Sequence, residues 1–306
     1  DVRLKGPLVF LVLLPMMLPP HVTAISWIHA LGPSRPLLRS LGIAPEIGPT
    51  HPLYSREGVI LLLALQHAPL VFLVVRPALR AQPRELMDAA RIAGASAGRV
   101  LTRIILPLLL PALLAGYALA FVSALGNFGI PALLGIPARY TTLPVLIWQR
   151  MASVGVGMLT NVAVIAMIMA VVAVVAVTIL YVLQRSGRTA LTGPPRPPLA
   201  ISLGAGRPVV EGLRWAFIAA VLVLPLASLL STALVRTYGL PLNLETITFD
   251  NFSEILFRQS VTLRAFLNSS LAAGAAAALL AAIAIFIAHL SSRPQKSSRT
   301  TGRLLE

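Results

Sequence analysis

The chain contains no cysteine, which removes disulfides, thiolate chemistry and thiolate metal sites at once. It is also poor in charge, with only 11% Asp, Glu, Lys and Arg, and poorer still in acid: ten acidic residues stand against twenty-five basic ones. Lysine is nearly missing. Lys5 and Lys296 are the two present, neither follows glycine, and so no phosphate-cradling Gly-Lys-Ser/Thr loop exists in the chain. What fills the space is apolar. Of 306 residues, 57% are hydrophobic, and the mean hydropathy of +0.85 exceeds what a water-soluble core of this size requires.

Cutting the sequence at every charged residue leaves six long charge-free runs, 6–34, 58–75, 104–138, 151–184, 215–235 and 265–292. A bilayer core about 30 Å thick takes about 20 helical residues, and an ionised side chain at its centre costs roughly 2.5–3.5 kcal/mol. The runs are apolar on all sides and lack the charged outer face of a soluble amphipathic helix. The fold class is therefore an all-α integral membrane protein, a polytopic bundle with six spans, expected near 7–28, 58–79, 104–127, 157–184, 213–235 and 266–290. All ten acids lie outside the runs, whereas secondary transporters and channels usually place coupling carboxylates inside the bilayer.

The formal charge of +15 is distributed by side. With residue 1 in the cytosol, inside segments hold seventeen basic residues and outside segments eight. That bias places both ends and the 76–103 loop inside. No basic patch interleaved with aromatics supports nucleic-acid binding. The chain starts at Asp1, without Met or signal-peptide features, and reads as part of a longer protein.

Pro15, Pro19 and Pro20 force the first span to kink or break, and the freed carbonyls then need partners from neighbouring helices or a water-lined cavity. That span is expected to face protein. The segment from Asn127 to Gly157 is rich in Gly and Pro and reads as an outer loop with at most short helices; 185–212, rich in Pro, Gly and Arg, reads as a linker. Asn251 and Glu254 have capping-box spacing ahead of Ile255, Leu256 and Phe257, predicting a short surface helix.

Between the second and third spans, Pro83 is placed to open a short helix with Glu85 and Asp88 near its positive end. Its body is small: Ala89, Ala90, Ala93, Gly94, Ala95, Ala97 and Gly98 leave a surface that another protein's groove can approach closely. Gly94 and Gly98 let the chain turn back, and Ile104 to Pro107 starts the next span. Gly94-Ala95-Ser96-Ala97-Gly98 also matches a Gly-x-Ser-x-Gly nucleophile elbow. No strand precedes Ser96, however, and His289 at a span end is the only later histidine.

Asp88-Ala89-Ala90, Gly94, Ile104, Leu106 and Pro107 resemble the cytosolic signature of permease subunits of binding-protein-dependent ABC transporters: Glu-Ala-Ala, three residues, Gly, nine residues, then Ile-x-Leu-Pro. Asp in place of Glu is the one departure. Residues 58–77, 108–135, 248–252 and 267–271 look like the iron(III)-type branch, which fuses two homologous halves in one chain. The resemblance implies that 1–184 holds the later spans of a first repeat, with its coupling loop at 83–107. It makes 185–212 a cytosolic linker and 213–306 the opening spans of a second repeat, whose own coupling loop lies beyond Glu306.

It further implies a transport subunit, not an enzyme, in a bacterial inner membrane. Two cytosolic ATPase subunits would dock on the loop through Glu85, Asp88, Ala89, Ala90, Ala93, Gly94, Ala95, Gly98, Ile104, Leu106 and Pro107. An external solute-binding protein would deliver substrate, most naturally iron(III), to the outer loops around 29–57, 127–157 and 236–265. Thiamine, phosphonate, polyamine and oxyanion permeases of the same superfamily stay open as alternatives, with a secondary transporter or channel as a more distant one. ATP is used by the partner, and the chain itself is expected to bind no cofactor.

No catalytic residues are expected, and His21, His29, His51, His67 and His289 have no compact metal-site spacing. The methionines read as helix packing. Gln66 and His67 lie inside the second span, where polar side chains serve either an interhelical hydrogen bond or a pathway. Both are carried as pathway candidates.

Overall fold

In a computed structural model of the chain the described residues are 5–32, 40–42, 53–153, 155, 157–186, 206–237, 240 and 242–292. Among them five helices are long and apolar enough to cross a membrane, or six when one bent pair is counted as a span. The protein is a multi-pass helical membrane protein.

The bent pair is α1 (Lys5–Met17) and α2 (Pro20–Leu31), which meet at 102°. The cause is local. Pro19 and Pro20 have no N–H to offer the carbonyls of Pro15 and Met16, so the hydrogen-bond ladder stops there. It resumes where the Thr23 N–H donates to the Pro19 carbonyl at 3.1 Å. Of the two halves, α2 buries Thr23, Ala24, Ser26 and Ala30 against protein, as expected, but none of residues 6–17 of α1 is fully buried.

Helix α3 (Arg56–Arg80) is capped by Ser55, whose Oγ accepts the Gly58 N–H at 3.0 Å. Val59, Leu62, Gln66 and Pro69 recur at helical spacing and form its buried face. Val59 and Leu62 join Ala24, Leu53, Ile130 and Leu134 in one core cluster. On the other side α3 crosses the third span so closely that a Cβ on Gly116 would lie 3.1 Å from the Val71 Cα. Small residues at such crossings let backbones approach where lipid offers no hydrophobic drive.

After α4 (Arg84–Ile92), the third span comprises α5 (Ala97–Val100), a π-turn at Leu101–Ile105 and α6 (Leu106–Leu125). The helix thus begins two turns before Ile104, correcting the expected start at 104–107. Arg99 and Arg103 set that expectation because they interrupt the charge-free run, yet both sit on an already formed helix that projects beyond the apolar window. The π-turn accommodates Pro107, which cannot donate to the Arg103 carbonyl, while the Leu106 N–H reaches back to the Leu101 carbonyl. The Gly/Pro-rich segment that follows is, as read, a loop with a buried π-turn at Pro131–Gly135 and a short helix α7 (Leu143–Met151).

Helix α8 (Met158–Ser186) packs on α6 and α7 and buries no residue of its most apolar window, consistent with a lipid-facing span. The next helix, α9 (Arg207–Ile218), continues through a π-turn at Ala219–Val223 into α10 (Leu224–Ala233). Residues 207–212 are therefore helical, not linker: Pro208 sits in the first turn and Arg207 Nε pairs with Glu211 at 3.1 Å. The span begins at Arg207 rather than 213, and 187–205 lie outside the described residues.

Helix α10 lies against α2, burying Ser228 and Ser231, so the first compact unit extends to Thr246 and the second covers 247–306. In that second unit the surface helix is α11 (Asp250–Ser253), continued by a π-turn at Glu254–Arg258. The predicted capping box is not formed. The N-cap is Phe249 without a side-chain bond, the Asp250 N–H donates to Thr248 Oγ1 at 3.1 Å, and Glu254 pairs with Arg258 at 3.3 Å. The last span, α12 (Ser260–Ser292), starts six residues earlier than expected, because Arg264 is tolerated in its second turn.

Candidate functional site

Helix α4 carries most of the predicted signature and turns two different faces outward and inward. Met87 is 1% exposed and packs with Val100, Ile105 and Leu109, joined by the half-buried Ala90, Ala95 and Leu113. These contacts, with Val75 and Ala78 of α3 packed on the same cluster, fasten the short helix to the second and third spans. Glu85, Leu86, Asp88, Ala89, Ile92 and Ala93 face away from the bundle. Leu86, Ala89, Ile92 and Ala93 fall on one side, in steps of three and four, and Ile92 is 89% exposed.

Gly94 ends the helix. Its φ of +79° puts it in the left-handed region, where glycine carries no Cβ penalty. The Ala95 N–H then donates to the Ala90 carbonyl and the Gly94 N–H to the Arg91 carbonyl, both at 2.9 Å, which is a Schellman cap. Gly98 has ordinary helical geometry in α5 and is exposed. Ser96, the would-be nucleophile, caps α5 instead: its Oγ accepts the Arg99 N–H at 3.4 Å and its carbonyl the Val100 N–H at 3.0 Å. Ile104 is half-buried, whereas Leu106 and Pro107 are exposed on the following helix. The signature thus divides into an outward surface and an inward anchor. Sequence reasoning passed over Leu86, Met87 and Ile92; the signal was a Leu and an Ile at helical spacing amid alanines.

The other pair separates as well. Gln66, 5% exposed, is fully engaged at the break between α1 and α2. Its Nε2 donates to the Pro15 carbonyl at 2.7 Å and the Leu18 carbonyl at 2.9 Å, and its Oε1 accepts from Thr23 Oγ1 at 2.8 Å. One amide therefore supplies the N–H that Pro19 withholds from Pro15 and ties both halves of the broken helix to α3. His67, 7% exposed, donates from Nδ1 to the Leu63 carbonyl at 2.7 Å, leaving Nε2 without a partner among the described residues.

His67 lines a cavity of about 720 Å³, together with His21, Ser123 and Asn127. Gly129 holds its wall close: a Cβ there would lie 2.7 Å from the His21 backbone nitrogen. No group of three or more His, Cys, Asp or Glu residues able to hold a metal occurs among the described residues.

Comparison with known proteins places the chain in a family. The family model for the binding-protein-dependent transport system inner membrane component matches residues 2–188. A probable molybdenum ABC transporter permease protein of Haloferax volcanii is 32% identical over 163 residues, 53% of this chain and 57% of that protein. A probable sulfate transport system permease protein of Nephroselmis olivacea is 32% identical over 100 residues, 32% of this chain and 35% of its own length. A putative 2-aminoethylphosphonate transport system permease protein of Salmonella typhimurium is 32% identical over 105 residues, 34% of this chain and 36% of its own. The chain spans little more than half the length of the first of these relatives and about a third of the other two.

Proposed function

Since the chain belongs to the family of binding-protein-dependent transport system inner membrane components, we propose that it is a membrane subunit of an ATP-driven importer, with α4 as the docking site for a separate ATPase. Proteins of this family are transport components and not enzymes. The observation that carries the reading is the outward stripe of Leu86, Ala89, Ile92 and Ala93 on a short helix anchored to two spans by Met87. A groove on a partner would cover that stripe, and force applied to it would pass through the Met87–Val100–Ile105–Leu109 contacts into the third span. ATP binding by the partner then biases the population of inward- and outward-open states. The bias of basic residues supports a cytosolic side for the α4 loop and both ends of the sequence, and we read the membrane as the inner membrane of a bacterium.

An external binding protein delivers the cargo to the opposite face. We assign that cargo to the oxyanions. The relatives are named for molybdenum, sulfate and 2-aminoethylphosphonate transport, and the iron(III) expectation finds no counterpart among these three.

The test is uptake by proteoliposomes carrying the complete permease, its ATPase and its binding protein. Molybdate or sulfate is expected to accumulate only with ATP inside and binding protein outside. Uptake that persists without the ATPase would sink the importer reading. ATP-dependent uptake of iron(III) in place of the oxyanions would return the cargo to the expectation from sequence.

A further inference from the structure

The cavity beside the helix break has a chemistry of its own. His67 lies near the middle of α3, whereas Ser123 and Asn127 lie at the end of α6 remote from the α4 loop, so the cavity reaches from mid-span toward the outer face proposed above. Among the described residues, no Asp, Glu, Lys or Arg lines it. Several of its polar groups are unspent. Asn127 is 7% exposed; its Oδ1 accepts the Ile130 N–H at 3.3 Å, which fixes the amide orientation and leaves Nδ2 donating to nothing among the described residues. Ser123 and His21 present their side chains without a partner in the described structure. Pro20 and His21 also open α2, so the positive end of that half-helix borders the same space.

A cation would find no carboxylate here to replace its hydration, which argues against metal or polyamine cargo at this point. An anion meets an amide N–H, a hydroxyl and a half-helix N-terminus, the arrangement discontinuous membrane helices offer to anionic groups. The absence of Arg and Lys completes the match. A full positive charge at this depth would hold a divalent anion too tightly to release it, whereas neutral donors bind weakly enough for passage.

We infer that Asn127 and Ser123, with the N-terminal end of α2, form a low-affinity way-station for a tetrahedral oxyanion on the transport path. This inference deepens the proposed function and rests on it. Gln66 is not part of the station, because all its hydrogen bonds are committed to the break.

The test uses the complete reconstituted complex and three probes: labelled sulfate, molybdate and 2-aminoethylphosphonate. Asn127→Asp keeps the shape but adds negative charge, and is expected to lower uptake of the transported oxyanion at least tenfold. Asn127→Ser keeps a neutral donor and is expected to lower uptake far less than Asn127→Asp does. Ser123→Asp, at a more exposed position, repeats the charge test where folding is less at stake. Assembly is scored in each background by crosslinking Ala93→Cys to the ATPase, and uptake is normalised to assembled complex. Wild-type uptake by both aspartate variants would overturn the way-station while leaving the importer reading intact. Import of a cation by the assembled wild type would overturn the ligand class. Failure of the wild-type permease to dock any ATPase would overturn the proposed function, and this inference with it.

Discussion

Ile92→Asp is expected to leave the helical fold in place and to weaken ATPase docking about 30- to 150-fold, with ATP-driven transport falling in parallel. The magnitude follows from exposure. Ile92 is 89% exposed on α4 and belongs to none of the chain's own core clusters, so the substitution disturbs no internal packing. Burying an aliphatic side chain of this size in a partner's groove contributes about 2–3 kcal/mol, and each 1.4 kcal/mol is roughly tenfold in affinity. An aspartate forfeits that burial and must be desolvated as well. The measurement is the affinity of the detergent-solubilised permease for its ATPase, alongside the melting temperature of the permease alone. Docking at wild-type affinity would remove the outward stripe of α4 from the interface.

Gln66→Leu is expected to destabilise the fold by about 2–4 kcal/mol and to loosen the angle between α1 and α2. Three hydrogen bonds disappear together, leaving the carbonyls of Pro15 and Leu18 and the hydroxyl of Thr23 without their partner. Interhelical hydrogen bonds in membranes average about 0.6 kcal/mol and reach about 1.7, and stranded buried polar groups cost about 1–3 kcal/mol each. Gln66→Glu separates hydrogen bonding from packing, because an ionised carboxylate of nearly the same shape can only accept and now faces two carbonyls that also only accept. It is expected to be at least as damaging as leucine. Unfolding of both variants at the wild-type midpoint would show that the break holds without this brace.

The sequence disclosed the features whose causes are local. Pro15, Pro19 and Pro20 announce a break because each removes an N–H whatever surrounds it, and Gly94 announces a turn because only glycine enters the left-handed region cheaply. What repairs the break was not legible. Gln66 lies 43 to 51 residues from the groups it bonds, and nothing in the pattern around it distinguishes a brace from a pathway residue. The division of the signature was hidden for a related reason: in a run of alanines there is little amphipathic contrast, so the inward turn of Ala90 and Ala95 follows from Met87 and becomes visible only with the third span in place. Span limits set by charge were too short at 104 and 213 because a helix continues past its apolar window while its hydrogen bonds are met. Ser123 and Asn127 were overlooked because each stands within or beside a run that reads as lipid-facing, and only the fold brings them around one cavity with His67.

The central claim, that α4 is where a partner ATPase grips this protein, is open to one direct measurement. The chain has no cysteine, so Ala93→Cys introduces a single thiol at an exposed position on the outward side of α4. In the assembled, ATP-hydrolysing complex this thiol is expected to crosslink to the ATPase subunit. A complex that hydrolyses ATP and drives transport while Ala93→Cys forms no adduct with the ATPase would contradict the account.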